Sequence, residues 1–248
     1  MRTASGVPGF DALVQGGFPE GASVVVQGPA GVEKDAFLFQ FDQTHAFIGL
    51  SPELLYKRED KSILTEAIAG TRGRGIDFLH DDLLRQELLT SEKDRHEHHL
   101  VVGAIIDAFR QVCRSYRIDN DRRILRLPNQ QHLCLRISGR LGDDIRDRDL
   151  CSSLHPTPAV GGAPADKAQV YLRQWEGFDR GWFSGAVGCL GLDRSEVAVA
   201  IRSCLVEGSR LNLYAGAGIV NGSDPRTEWE EIESKIKGYL NVLYSAAR

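Results

Sequence analysis

The segments AFIGLSPELLYKR, residues 46–58, and SILTEAIAG, residues 62–70, set the frame for the whole 248-residue chain. Both are strand-length runs rich in apolar, β-branched or aromatic residues, and the polar Glu59-Asp60-Lys61 between them predicts a turn joining two strands. TRGRGIDF, residues 71–78, then reads as a loop. From about Asp81 to Tyr116 the period changes. Leu100, Val101, Ala104, Ile105, Ala108, Phe109 and Val112 recur at helical spacing, which predicts one long helix or two.

Residues 118–150 are polar and without clear period, although DDIRDRD (143–149) reads as a solvated helix start; a further helix fits 165–176. GWFSGAVGCLGL, SEVAVAIRSCLV and RLNLYAGAGIV, within residues 182–220, predict an antiparallel meander with turns at Asp193-Arg194 and Glu207-Gly208-Ser209. The last helix has a defined start, with Asp224 as N-cap and Pro225 in the first helical position. Antiparallel strands mixed with helices predict an α+β fold rather than a doubly wound parallel sheet. No internal repeat or low-complexity segment is present.

The composition is 42 % hydrophobic and 26 % charged, ordinary for a globular protein with ample core. A net charge of −4 and the lack of a long basic run argue against a nucleic-acid partner. No apolar stretch reaches membrane-spanning length and the N-terminus has no signal-peptide core, so no membrane partner is expected. Cys113, Cys134, Cys151, Cys189 and Cys204 are odd in number and lack C-x-x-C spacing. They read as reduced, mostly buried thiols of a cytoplasmic protein, expected to act as a monomer.

Four groups of residues invite a chemical reading. In SEKDRHEHH (91–99), Glu97 falls near the inward side of its helix and needs a cation, which is an arginine, a lysine or a metal; His96, His98 and His99 read as a solvated face. On the last helix, Glu228, Glu231 and Lys235 share a stripe bordering Trp229, Ile232, Ile236, Tyr239 and Leu243, with Glu230, Glu233 and Lys237 outside. That stripe faces either water or a polar cavity. Gly216 and Gly218 flank Ala217 at a strand end, which fits a close backbone approach to a ligand or a tight bend. Arg202, on an alternating strand, suits a grip on a carboxylate or a place at an exposed edge.

Nine segments in order resemble isochorismate synthases, within the chorismate-utilising enzymes: FIGLSPELL (47–55), EAIAGT (66–71), SEKDRHEHHLV (91–101), LPNQQHL (127–133), LHPTPAVGG (154–162), FDRGWFSGAVG (178–188), AIRS (200–203), AGAGIVNGSDP (215–225) and EWEEIESK (228–235). The resemblance covers about residues 42–248. LHPTPAVGG resembles the isochorismate synthase version. Anthranilate synthase-type relatives carry a lysine after Gly-Ala-Pro, where this chain has Ala165 after Gly162-Ala163-Pro164.

The resemblance implies an incomplete chorismate-binding fold and conversion of chorismate to isochorismate with Mg²⁺. It places Glu53 as the general acid at the departing C4 hydroxyl, Glu97 and Glu231 as Mg²⁺ ligands, and Glu228 as a supporting residue. Gly70, Thr71, Arg202, Lys235 and Gly216-Ala217-Gly218 would contact substrate, with His132 in the pocket and Phe183 as an aromatic wall. It also implies that the lysine serving as general base belongs to an upstream half, so weak or no turnover is expected of this chain.

Residues 1–41 read as a separate segment. SGVPGFDALVQGGFPEGASVVVQGPAG (5–31) resembles RecA-like ATPases of the KaiC type, and GPAGVEKD (28–35) resembles a phosphate-binding loop with Glu33 and Asp35 in place of its second glycine and its hydroxyl. A nucleotide-binding module and a non-catalytic fusion fragment are therefore the alternative expectations.

Overall fold

The computed structural model describes residues 35–246 together with Arg2–Thr3, Phe18–Pro19 and Val24–Gln27. The expected phosphate-type loop at 28–34 lies outside the described residues. The strands are β1 (Arg2–Thr3), β2 (Phe18–Pro19), β3 (Val24–Gln27), β4 (Asp35–Gln40), β5 (His45–Ser51), β6 (Leu54–Glu59), β7 (Ser62–Gly73), β8 (Cys113–Ile118), β9 (Arg123–Arg126), β10 (Gln130–Leu141), β11 (Ala186–Leu190), β12 (Arg194–Val199), β13 (Ser203–Glu207) and β14 (Arg210–Tyr214). The helices are α1 (Phe78–Thr90), α2 (Glu92–Val112), α3 (Asp147–Leu154), α4 (Pro158–Gly161), α5 (Ala165–Trp175) and α6 (Pro225–Ala246). The α+β expectation holds.

One sheet runs β11-β12-β6-β7-β10-β8, with β9 also on β10; a second runs β14-β13-β5-β4-β3; β1 and β2 pair with each other. Among the described residues every pairing is antiparallel. The first expected strand is therefore split at Ser51-Pro52-Glu53, because proline has no N–H to continue a ladder. Its halves belong to different sheets. The expected meander is split in the same way at Ala200-Ile201-Arg202, with β11 and β12 in one sheet and β13 and β14 in the other. The β4–β5 hairpin spans the expected boundary at 41/42, and residues 35–40 pair with 46–51 in one sheet.

Two further differences have physical causes. Residues 71–73, read as loop, extend β7 because β10 pairs along it as far as Gln130–Gly73. β10 itself hides in the stretch without period, since Gln130, Gln131 and His132 are buried in a sheet interior where an alternating polar face is not needed.

Ser91 separates α1 from α2 and caps α2 by accepting from Asp94 N at 3.2 Å. Val101, Ile105, Ala108, Phe109 and Val112 of α2 pack on Ala67, Ala69, Leu135 and Ile137 to form the main core. A second cluster joins the two sheets, with Phe37 and Phe47 against Val187, Ala198 and Ala200.

Gly70 sets the geometry where β7 meets α2. His132 pairs with Thr71 but Leu133 with Ala69, so Gly70 is the extra residue of a bulge, at φ 72°. A Cβ there would lie 3.0 Å from Asp94 Cβ. Gly70→Ala should therefore lower stability by about 1–2 kcal/mol in chemical denaturation, the usual cost of a left-handed non-glycine residue. Gly216→Ala, whose Cβ would meet nothing within 4 Å, should change stability far less. Equal effects would sink the bulge argument.

Candidate active site

Glu53 sits at the first crossing between the sheets. Ser51 Oγ accepts from its backbone N–H at 3.1 Å, and its carbonyl accepts from Val199 N at 3.0 Å. The side chain is only 6 % exposed, and its Oε1 accepts from Thr157 Oγ1 at 3.0 Å. Burial pushes the carboxyl up to about 7, against smaller opposing effects from the Thr157 hydrogen bond and the Lys235 charge. Near neutrality this group holds a proton that it can donate.

Arg202 sits at the second crossing. It is not on a strand, as expected, but in the break between β12 and β13 at φ 53°. Its carbonyl accepts from Leu50 N at 3.0 Å and its guanidinium donates to Gln130 Oε1. A non-glycine residue held at positive φ is costly and marks a position fixed by its surroundings. Burial lowers its pKa, with Tyr239 and Glu231 acting in the other direction.

His132 and Thr71 face each other across the Gly70 bulge, with Thr71 Oγ1 and His132 Nδ1 3.1 Å apart. Burial, then the charges of Arg202 and Lys235, push the imidazole down to about 3, so it is neutral. Its Nε2 is buried without a hydrogen-bond partner among the described residues. Phe183 stacks on Tyr214, with centroids 5.3 Å apart at 15°. It adjoins the second crossing, where Ser184 N donates to Ala200 O at 2.9 Å.

The acidic residues come from α2 and α6. The buried stripe of α2 continues from Val101 through His98 to Asp94, which leaves Glu97 at its half-buried edge. His98 thus corrects the expectation of a solvated face: it is fully buried, its Nε2 donates to Ala67 O at 3.1 Å, and burial pushes it down to about 4. His96 and His99 are exposed as expected. Burial, then the charge of Glu231, raises Glu97 to about 7, while Lys93 and Lys235 oppose.

On α6, Asp224 caps the helix by accepting from Thr227 N at 2.9 Å. The predicted stripes are reversed in the first turns, where Glu228 is 4 % exposed and Trp229 61 %, while Glu231, Ile232, Lys235 and Ile236 are all half-buried. Glu228 pairs with Lys93. Lys235 Nζ donates to Glu231 Oε1 and to Gly216 O, both at 2.7 Å. Gly218 lies against Glu97, where a Cβ would be 3.0 Å from Cδ and closer still to an oxygen. The absent side chain of Gly218 thus admits the Glu97 carboxylate.

Lys235 therefore acts electrostatically on Glu53, Glu97 and His132, and Glu231 on Glu97 and Arg202. Residues far apart in sequence share one locus. Cavities of about 640 and 330 Å³ lie elsewhere, against Ser62 and Ser138 and between β4 and β12, and include none of these residues.

A family model described as chorismate binding enzyme matches residues 28–244. The chain belongs to the chorismate-binding enzyme family. Within that family it is 38 % identical over 213 residues to isochorismate synthase MenF of Bacillus subtilis, covering 85 % of this chain and 45 % of that protein. It is 42 % identical over 211 residues to the salicylate biosynthesis isochorismate synthase of Pseudomonas aeruginosa, covering 84 % and 44 %. The solved structure of MenF, the menaquinone-specific isochorismate synthase of Escherichia coli, superposes with a TM-score of 0.78 at 38 % identity, over 85 % of this chain and 49 % of that one. The chain spans about half the length of the curated relatives it matches. The family match begins at Gly28, so it takes in GPAGVEKD.

The donor set suits a hard cation chemically. Glu97 accepts no hydrogen bond and forms no ion pair among the described residues, Glu231 repels it, and the missing Cβ of Gly218 leaves it room. Among the described residues, however, no three His, Cys, Asp or Glu side chains converge as a metal cage. Lys93 and Lys235 hold Glu228 and Glu231 instead.

Sequence reading missed Thr157, Gln130 and Lys93. All three lie inside quoted segments, LHPTPAVGG, LPNQQHL and SEKDRHEHHLV, so the segments themselves were the available signal. Among the described residues no helix is long and apolar enough to cross a membrane, and all five cysteines are free, with Cys189 exposed.

The raised carboxyl of Glu53 sets a sign for stability. A folded value near 7 against 4.5 means that its contribution is full below about pH 4.5 and is lost as pH rises to about 7. Glu53→Gln should melt near the wild type at pH 4.5 and be more stable by a few kcal/mol at pH 8. A constant offset across that range in thermal melts would contradict the assignment.

Proposed function

We propose that this chain carries an isochorismate synthase-type site, acting on chorismate. The observation that supports it most is a buried, proton-holding Glu53 within the field of Lys235, with Lys235 and Arg202 both acting on His132, in a chain of this family. Chorismate carries two carboxylates and a ring hydroxyl at C4. Arg202 and Lys235 would hold carboxylate, and neutral His132, through its unpartnered Nε2, would hydrogen-bond the bound molecule. Phe183 would wall the ring, and Gly216 to Gly218 would let backbone approach it, with Gly70 and Thr71 beside the ring.

In this reading Glu53 donates its proton to the C4 hydroxyl as the C4–O bond breaks, and that oxygen departs as water. Ring double bonds shift, a water oxygen bonds to C2, and that water gives up a proton to a base. The proton count is restored, and the net change is an isomerisation. Glu97 and Glu231 would hold Mg²⁺, supported by Glu228. When bound, the ion would neutralise the ring carboxylate next to two acidic side chains. That role accounts for two repelling carboxylates facing each other on α2 and α6.

Binding is tested by thermal melting of the purified chain with chorismate, with and without Mg²⁺, and with ATP in parallel. Chorismate with Mg²⁺ at about a hundredfold over Kd should stabilise by about 2.7 kcal/mol. Glu231→Ala should lose that shift, and ATP should produce none. Isochorismate formation, followed in the same samples, should vanish in Glu53→Gln. Stabilisation by ATP and not by chorismate would favour the nucleotide-binding alternative.

A further inference from the structure

Thr157 stands where a helix N-cap would stand, immediately before Pro158 at the start of α4, yet its side chain makes no capping hydrogen bond. Threonine in this position ordinarily accepts from the backbone N–H two or three residues on. Here the backbone carbonyl of Thr157 accepts from Val160 N and Gly161 N, and the hydroxyl is turned instead toward Glu53 Oε1, 3.0 Å away. Both side chains are buried, and the hydroxyl has no other partner among the described residues. A hydroxyl withdrawn from its ordinary local use and buried against an acid needs a reason.

We infer that Thr157 is a positioning residue for Glu53: its hydroxyl fills Oε1 as a hydrogen-bond acceptor, so the transferable proton is held on Oε2. A protonated carboxyl has one donor and retains acceptor capacity on the other oxygen. If Oε1 carried the proton it would donate to Thr157, and the threonine hydrogen would have no acceptor. The arrangement that satisfies both groups has threonine donating. It leaves one oxygen of the acid free to give its proton to a bound molecule. This inference rests on the isochorismate synthase reading for its use, but not for its geometry.

The same hydrogen bond favours the carboxylate, as does the charge of Lys235 on α6. Removing the hydroxyl should therefore move the titration upward while loosening the acid's orientation. The test is a ¹³C titration of the Glu53 carboxyl in the full chain, identified by its loss in Glu53→Gln. Wild type and Thr157→Ser should share a midpoint near 7. Thr157→Val and Thr157→Ala should titrate higher, by on the order of one unit. In isochorismate formation, Thr157→Val should lower the acidic plateau of kcat by on the order of tenfold with KM little changed, and shift the alkaline limb upward. A wild-type midpoint in Thr157→Val overturns the inference; if that variant does not fold, Thr157→Ala is read in its place. A shifted titration without any turnover by the wild type would support the positioning role while counting against the proposed reaction.

Discussion

Two backbone hydrogen bonds hold the points at which the chain passes between its two sheets. Leu50 N donates to Arg202 O and Val199 N to Glu53 O, each at 3.0 Å. One crossing comes after β5 and the other after β12, so the pair closes a seam that strand pairing alone would leave open. Glu53 and Arg202 are the residues at this seam. An acid and a guanidinium separated by almost 150 residues of sequence are thereby fixed by main-chain bonds, which side-chain motion cannot undo. Phe37, Phe47, Ala198 and Ala200 pack across the same seam and bury it.

Burial at this seam then decides charge states. Moving an ionisable group out of water favours its neutral form, so Glu53 and His132 are both displaced toward neutrality, in opposite pKa directions. Glu231 and Lys235 keep a partner within hydrogen-bond distance. The result is a proton-carrying acid within the field of Lys235, an arrangement that water would not sustain. Glu97 lies between these cases: half-buried, repelled by Glu231 and opposed only by lysines that are engaged elsewhere.

Much of this was legible residue by residue. The helical period of Val101, Ile105 and Ala108 marks the core face of α2, and Asp224-Pro225 marks the start of α6. The ordered segments bring Glu53, Glu97, His132 and Lys235 together as candidates. The rest depends on packing and was not legible. His98 reads as surface because histidine is polar, but its ring is buried in the core, where Nε2 donates to Ala67 O. Glu228 reads as the rim of an apolar stripe and is buried because Lys93 of another helix meets it, while Trp229 turns outward and donates to Glu233 Oε1 at 3.1 Å. β10 was hidden because a strand paired on both sides, with its polar residues buried, shows no alternation.

By itself the sequence determined the local elements and the chemical inventory: where strands and helices are favoured, which caps start them, and which acids, bases and small residues are available. Period, propensity and turn chemistry act over a few residues, so a chain carries them in plain form. Only the tertiary structure decided that β5 and β6 diverge into different sheets, that Arg202 leaves its strand at positive φ, and that Thr157 serves Glu53 rather than its own helix. Those outcomes depend on partners more than 100 residues away in the case of Thr157 and Glu53. No local period records a contact of that kind.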